Sequence, residues 1–230
     1  MKKLGIIGGM GPLATCDLFR KVVENTAADS DREHIHIIID NNSAIPDRTA
    51  AILRGGENPL PKMKESLSRL TEAGAEVVIM GCNTAHFFYD SLGEDCQVER
   101  LNMLYETMAY LKSNGIKKAG LLASSGTVES GIYARAAEKY GIELVCPVGI
   151  EQDAVMGVIY DGVKAGKADY DTAEFCKAVN TLFSKGAETL ILGCTELPLA
   201  MDMYSLSFPA VDPTLILAKA AIIACGYKLK

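Results

Sequence analysis

Gly74-Ala75-Glu76-Val77-Val78-Ile79-Met80-Gly81-Cys82 recurs, nearly residue for residue, as Gly186-Ala187-Glu188-Thr189-Leu190-Ile191-Leu192-Gly193-Cys194. The copies lie 112 residues apart in a chain of 230, about half its length. Each reads as a glycine that closes a helix, a short apolar strand, and a Gly-Cys at the strand's carboxyl end. A duplicated fold with one thiol per half can present two thiols to one ligand from opposite sides. That is the geometry needed to take a proton from one face of a carbon and return one to the other.

Strand and helix signals alternate outward from the first copy. Residues 3–7 form a β-type run, Gly8-Gly9-Met10-Gly11-Pro12 turns, and residues 13–27 have helical spacing. Residues 34–40 are a continuous β-branched run, and residues 41–47 are a polar loop. Residues 60–73 are helical, with Gly74 placed to cap them; residues 77–80 are a strand, and Asn83 begins a helix. This βαβαβ order predicts a parallel sheet with helices on its faces.

The second half repeats the order. Lys118-Ala119-Gly120-Leu121-Leu122-Ala123-Ser124-Ser125-Gly126 echoes Lys3-Leu4-Gly5-Ile6-Ile7-Gly8-Gly9-Met10-Gly11, with Gly120 matching Gly5 and Gly126 matching Gly11. Residues 142–145 and 189–192 read as strands, and residues 152–163 and 170–184 as helices. Residues 98–102 and 208–212 match as well, each followed by a helix. The expectation is an α/β fold of two pseudo-twofold-related domains. Each is a mainly parallel sheet flanked by helices, and the active site lies between them. Gly8-Gly9, Asn41-Asn42, Cys82, Ser124-Ser125 and Cys194 all follow strands, where ligands bind in open parallel sheets.

Composition narrows the function. A net charge of −6 argues against a general nucleic-acid or anionic-membrane binder. Seven cysteines, odd in number and without a Cys-x-x-Cys, read as reduced thiols of a cytoplasmic protein. The N-terminal run ending in Leu13-Ala14-Thr15-Cys16 mimics a lipoprotein signal but carries four glycines and a proline, and reads better as a strand and turn. Residues 214–227 are apolar but too short for a membrane span.

Cys16, Cys176 and Cys225 fall within or at the ends of apolar helical runs and read as packing residues. Cys82 and Cys194 fall at strand-to-helix junctions, where helix N–H groups stabilise a thiolate or hold a carboxylate. Zinc is the rival use of thiols. Cys82 and His86 have a workable spacing, but Cys194 is followed by Glu196 and Pro198 rather than a histidine. The glycines at 5, 8, 9 and 11 miss the dinucleotide register, and a turn that brings N–H groups near an anion is the more economical reading. Arg48 sits in the loop after the second strand. Lys164 ends a helix, where it reads first as a charge complementing the helix terminus.

Taken together, Gly8-Gly9-Met10-Gly11-Pro12-Leu13-Ala14-Thr15, Gly81-Cys82-Asn83-Thr84-Ala85-His86 and Gly193-Cys194-Thr195-Glu196-Leu197-Pro198-Leu199 resemble the aspartate racemase branch of the Asp/Glu racemase superfamily. The resemblance covers essentially the whole chain. It implies a first domain of residues 1–98 plus 211–230 and a second of residues 99–210, with the last helix packed on the first. It implies a homodimer and no pyridoxal phosphate, metal or nucleotide cofactor. It assigns Cys82 and Cys194 as the acid/base pair, and Arg48 and Lys164 as binders of the carboxylates of a small dicarboxylic amino acid. Asn83, Thr84 and Thr195 would hold the α-carboxylate, and Met10, Ser125 and Thr127 would line the same pocket.

Glutamate racemases typically open with Asp-Ser-Gly and carry Cys-Thr-His. Gly8-Gly9-Met10 and Cys194-Thr195-Glu196 stand here instead. Both departures favour aspartate. Broad-specificity racemases, maleate isomerases and hydantoin racemases share the paired thiols. A two-lobed anion-binding module is the non-enzyme alternative, and it leaves the matched cysteines unexplained.

Overall fold

The computed structural model describes residues 1–94 and 96–230. β1 (Leu4–Gly8) is buried along its whole length and leads into α1 (Pro12–Asn25). Pro12 suits a first helical turn, having a fixed φ and no N–H to leave unpaired. β2 (Ile37–Asn41) begins later than its β-branched run: β1 begins at Leu4, opposite Ile37, and the pairing starts with the Leu4 N–H donating to the His36 carbonyl at 3.0 Å. α2 (Arg48–Leu53) begins directly after the expected loop of residues 41–47; Asp47 caps it, accepting the Ala50 N–H at 2.6 Å. Then come α3 (Leu60–Glu72), β3 (Val77–Met80), a 3-10 turn over Thr84–Phe88, α4 (Tyr89–Leu92), β4 (Glu99–Arg100) and α5 (Met103–Ser113).

The second sheet follows: β5 (Lys118–Leu122), α6 (Ser125–Glu129), α7 (Ile132–Tyr140), β6 (Glu143–Val145) and α8 (Ile150–Gly157). The helix expected through residue 163 changes character at Val158–Lys164, which is π-helical. Its glycine neighbours permit close packing. A Cβ at Gly157 would stand 2.3 Å from the Tyr170 hydroxyl oxygen, and one at Gly162 would stand 2.7 Å from that of Tyr204. α9 (Ala173–Ser184), β7 (Thr189–Leu192), α10 (Glu196–Met203), β8 (Ala210–Val211) and α11 (Pro213–Ala224) complete the order.

The chain divides into Met1–Glu106 with Thr214–Lys230, and Thr107–Pro213. In the first unit the strand order is β2-β1-β3-β4, in the second β6-β5-β7-β8, and every pair is parallel. The C-terminal segment is tied to the first unit. The Lys2 N–H donates to the Cys225 carbonyl at 2.9 Å, the Ala27 N–H to that of Lys228 at 2.9 Å, and Thr26 bridges Leu229.

The duplication runs deeper than the quoted repeat. α3 buries Met63, Ser66, Leu67 and Leu70; α9 buries Phe175, Ala178, Val179 and Leu182 at the corresponding positions. This i, i+3, i+4, i+7 stripe faces the sheet in both units, and each fully buried large apolar side chain contributes about 1.5–3 kcal/mol. Gly74 and Gly186 both take φ near +90°, which glycine adopts without strain, and so turn the chain from helix to strand. In each unit the glutamate two residues on accepts main-chain N–H bonds at the start of the central strand. Glu76 takes that of Lys3 at 3.0 Å, and Glu188 takes those of Lys117 and Lys118 at 2.8 and 2.9 Å. Among the described residues no helix is long and apolar enough to cross a membrane.

Candidate active site

In a parallel sheet of order 2-1-3-4 the chain reverses its direction of travel between the first and third strands. The crevice beyond their carboxyl ends is where ligands bind. β1 and β3 flank that point in the first unit, with Ile7 opposite Met80; β5 and β7 flank it in the second, with Leu122 opposite Leu192. Cys82 lies just past β3, and Cys194 just past β7. Met10 follows β1, while Ser125 and Thr127 follow β5. Within each unit, these candidate residues therefore gather at the switch point.

In the first unit Cys82 is buried in the same apolar cluster as Ile7, Met10, Ile45, Met80 and Ala85. Arg48, the first residue of α2, reaches the glycine turn: its Nη2 donates to the Met10 carbonyl at 2.7 Å. Its Nη1 donates to the carbonyls of Pro46 at 3.0 Å and Ile45 at 3.4 Å. Backbone carbonyls thus hold the guanidinium beside Met10. The glycine turn is held from within. The Gly9 N–H donates to Thr15 Oγ1 at 2.9 Å, so this N–H serves the chain rather than an anion. Gly9 has φ +85°, and a Cβ there would meet the Asn42 backbone at 2.3 Å. Glycine is needed here to let the loops after β1 and β2 touch.

Asn83 and Thr84, both buried, follow Cys82. His86, four residues beyond it, has both ring nitrogens engaged. The Met103 N–H donates to Nε2 at 3.1 Å, which places the ring proton on Nδ1, 2.9 Å from the Cys82 carbonyl oxygen. Burial depresses the imidazole pKa from 6.5 to about 4. This neutral, doubly bonded ring is not available to a metal, which removes the Cys82/His86 pairing weighed for zinc. Among the described residues no group of three or more His, Cys, Asp or Glu is placed to hold a metal ion.

In the second unit Cys194 is half-buried, and its thiol donates to Glu196 Oε2 at 3.0 Å. The buried Thr195 hydroxyl donates to the same oxygen at 3.1 Å. Glu196 Oε1 faces Lys164 Nζ at 3.7 Å, and that ammonium lies 4.4 Å over the Tyr160 ring. Burial, reinforced by the Glu196 charge and opposed by Lys164, pushes the Cys194 thiol well above the ordinary thiol range. Thr127 Oγ1 lies 3.2 Å from Ser124 Oγ. The Ser125 N–H donates to Met156 Sδ at 3.3 Å, and its hydroxyl accepts from Gln152 Nε2 at 3.4 Å.

The structure thus joins Cys82 with Met10 in one core, Met10 with Arg48 through a hydrogen bond, and Lys164 with Cys194 and Thr195 through Glu196. Sequence reasoning passes over Glu196 as a group in its own right. The available signal was an acid in the first turn of α10, two residues past the thiol. Lys164 is aimed at that acid, beyond the helix-terminus role its position first suggested.

Comparison with known proteins agrees with this architecture. Over 100% of its length the chain is similar to the aspartate racemase of Picrophilus torridus, with 33% identity, 96% of that chain covered and a TM-score of 0.84. It is similar to an aspartate racemase homologue from Pyrococcus horikoshii OT3 over 98% of its length and 100% of that chain, with 25% identity and a TM-score of 0.79. A broad specificity amino-acid racemase of Bacillus subtilis (strain 168) is 24% identical over 95% of this chain and 96% of that protein. Residues 7–221 match the family described as Asp/Glu/Hydantoin racemase. Two parallel sheets of one strand order, each with a cysteine at its switch point, thus belong to a chain that is an isomerase, an amino-acid racemase of the Asp/Glu/Hydantoin racemase family.

Proposed function

We propose that this racemase interconverts L- and D-aspartate without a cofactor, using Cys82 and Cys194 as its two proton carriers. The observation that carries the reading is the placement of one cysteine, in matching sequence, past β3 and past β7. The likeness to aspartate racemases supports the choice of substrate.

In each productive complex one sulfur is a thiolate and the other a thiol. The thiolate takes the α-hydrogen, leaving its electron pair on carbon; the opposite thiol gives its proton to the other face. The charges exchange, which leaves the pair set for the reverse direction; a proton must pass back before another molecule of the same enantiomer reacts. A free thiol has a pKa of roughly 8.5, far below that of an α-hydrogen, so the carbanion must be stabilised by donors around the α-carboxylate. Asn83, Thr84 and Thr195 take that role in this reading, with Met10, Ser125 and Thr127 shaping the pocket. Arg48 and Lys164 receive the carboxylates. The chain works as a homodimer in the cytoplasm, where the reduced state of its thiols is maintained.

A second reading, broad specificity, is favoured by one observation. Lys164 already faces the Glu196 carboxylate, so its charge is offset within the chain before any substrate arrives. Purified protein incubated with L-aspartate and no added cofactor tests the first reading. D-aspartate should accumulate to an equal mixture, and should still do so after EDTA or hydroxylamine treatment. Failure to form it, with alanine or lysine turned over instead, would move the assignment to the second reading.

A further inference from the structure

The proposed proton transfers leave a buried carboxylate beside one reacting sulfur. The Glu196 side chain is 10% exposed, so it needs partners to remain ionised. It has them. Two donors, the Cys194 thiol and the Thr195 hydroxyl, meet Oε2, and the Lys164 ammonium faces Oε1. An ionised carboxylate only accepts hydrogen bonds, so the proton in the Cys194–Glu196 contact belongs to sulfur. Were Cys194 to lose it outright, two anions would sit 3.0 Å apart with one facing ammonium.

The sequence places this set deliberately. The π-helical segment ends at Lys164, and π-turns inside helices are frequent at functional sites. Gly162 lets Tyr204, just past α10, close on that segment, and this brings α10 and its first residue Glu196 to the lysine.

We propose that Glu196 is the positioning residue of Cys194: it holds the sulfur as a thiol ready to donate, and takes up the same proton when Cys194 must act as base. The inference rests on the two-thiol racemase reading. In the uptake step the S–H bond breaks, its electron pair stays on sulfur, and an O–H bond forms at Glu196 Oε2. The thiolate then removes the α-hydrogen and the Cys82 thiol protonates the opposite face. Cys194 is again a thiol, Cys82 a thiolate and Glu196 an acid. Passage of the Glu196 proton to Cys82 through water restores the starting state, so two protons are shared among three groups throughout. Among the described residues Tyr133 on α7, itself near Asp212, also lies within electrostatic reach of Cys194, and burial keeps its hydroxyl protonated.

The test follows iodoacetamide modification of the Cys194 peptide by mass spectrometry from pH 6 to 10, without substrate. Alkylation tracks the thiolate, and one pH unit is tenfold in thiolate fraction below the midpoint. Glu196→Gln keeps the size and an acceptor oxygen but cannot ionise. Its midpoint should fall by a unit or more, making alkylation at pH 8 about tenfold faster than in wild type. Glu196→Asp should stay nearer wild type. Racemisation by Glu196→Gln should lose kcat, with its optimum moved to lower pH. kcat/KM must stay equal in the two directions, since the enantiomers are equal in free energy. An unmoved Cys194 midpoint in folded Glu196→Gln would overturn the proposal. Lys164→Met gives a second arm. Without the cation, thiolate formation should be harder and alkylation at pH 8 slower; unchanged or faster alkylation would overturn the proposal independently. If racemisation is intact but Glu196→Gln leaves the midpoint unmoved, only this inference fails. If the midpoints move as stated but no amino acid is racemised, the function beneath it fails.

Discussion

The Nδ1–H of His86 donates to the carbonyl oxygen of Cys82 at 2.9 Å, and its proton is fixed there because Nε2 accepts the N–H of Met103. The ring ties the loop that carries Cys82 to the first turn of α5. It can do so only while neutral, because a protonated ring has two donors and no acceptor.

This relationship sets a pH window for stability. In the folded chain burial holds His86 near pKa 4, below the 6.5 of an unfolded chain. Above pH 6.5 both states are neutral and its contribution is complete. As pH falls from 6.5 toward 4 the unfolded state binds a proton that the folded state refuses, and stability drops by about 3 kcal/mol. Urea midpoints of wild type and His86→Ala across that window check this. The variant should lose about 2–4 kcal/mol at pH 7 and then depend less on acid. Parallel pH profiles would contradict it.

The duplicated glycines should differ in tolerance. A Cβ on Gly5 would stand 2.9 Å from the Ala75 Cβ, which has no rotamer to yield. One on Gly120 would stand 3.0 Å from the tips of Leu182 and Leu190, which can rotate. Gly5→Ala is expected to cost about 1–3 kcal/mol in urea unfolding, and Gly120→Ala measurably less. The reverse order would show that the halves do not pack as described.

Arg48 and Lys164 should set substrate charge. A hydrogen bond to a charged group is worth about 1.5–3 kcal/mol, so Arg48→Leu and Lys164→Leu should each lower kcat/KM for aspartate roughly tenfold to a hundredfold. Arg48→Lys should rescue poorly, since an ammonium cannot reproduce the fork that also holds the Met10 carbonyl. Melting curves separate lost binding from lost bracing. Equal wild-type turnover of alanine and aspartate would contradict the dicarboxylate assignment.

Much of the fold was legible because it is written twice. The strands 77–80 and 189–192 carry the same Gly-Cys ending, and the residues around them are apolar enough to admit only a buried parallel strand. That each cysteine follows a strand was legible; that those strands flank the switch point needed the sheet order, which depends on pairing between distant segments. Other features depend on distant partners. α2 is six residues long and rests on one cap, too short for a helical period to show. The π-helix keeps Val158, Ile159 and Val163 buried, as an α-helix could, so periodicity gave no warning of it. The protonation of His86 is decided by Met103, far along the chain. The role of Glu196 emerges only when Lys164, in another element, comes to face it.

The central claim is that both cysteines move the α-proton of one substrate. The most direct measurement incubates L-aspartate in D2O with wild type, Cys82→Ala and Cys194→Ala, following the α-proton by NMR and the D/L ratio by chiral chromatography. Wild type should replace the α-proton with deuterium as the mixture reaches equal amounts of the two enantiomers. Each variant, still folded, should racemise at least a hundredfold more slowly, since one of two obligatory proton carriers is gone. Racemisation by either variant at more than about a tenth of the wild-type rate would contradict the two-thiol account.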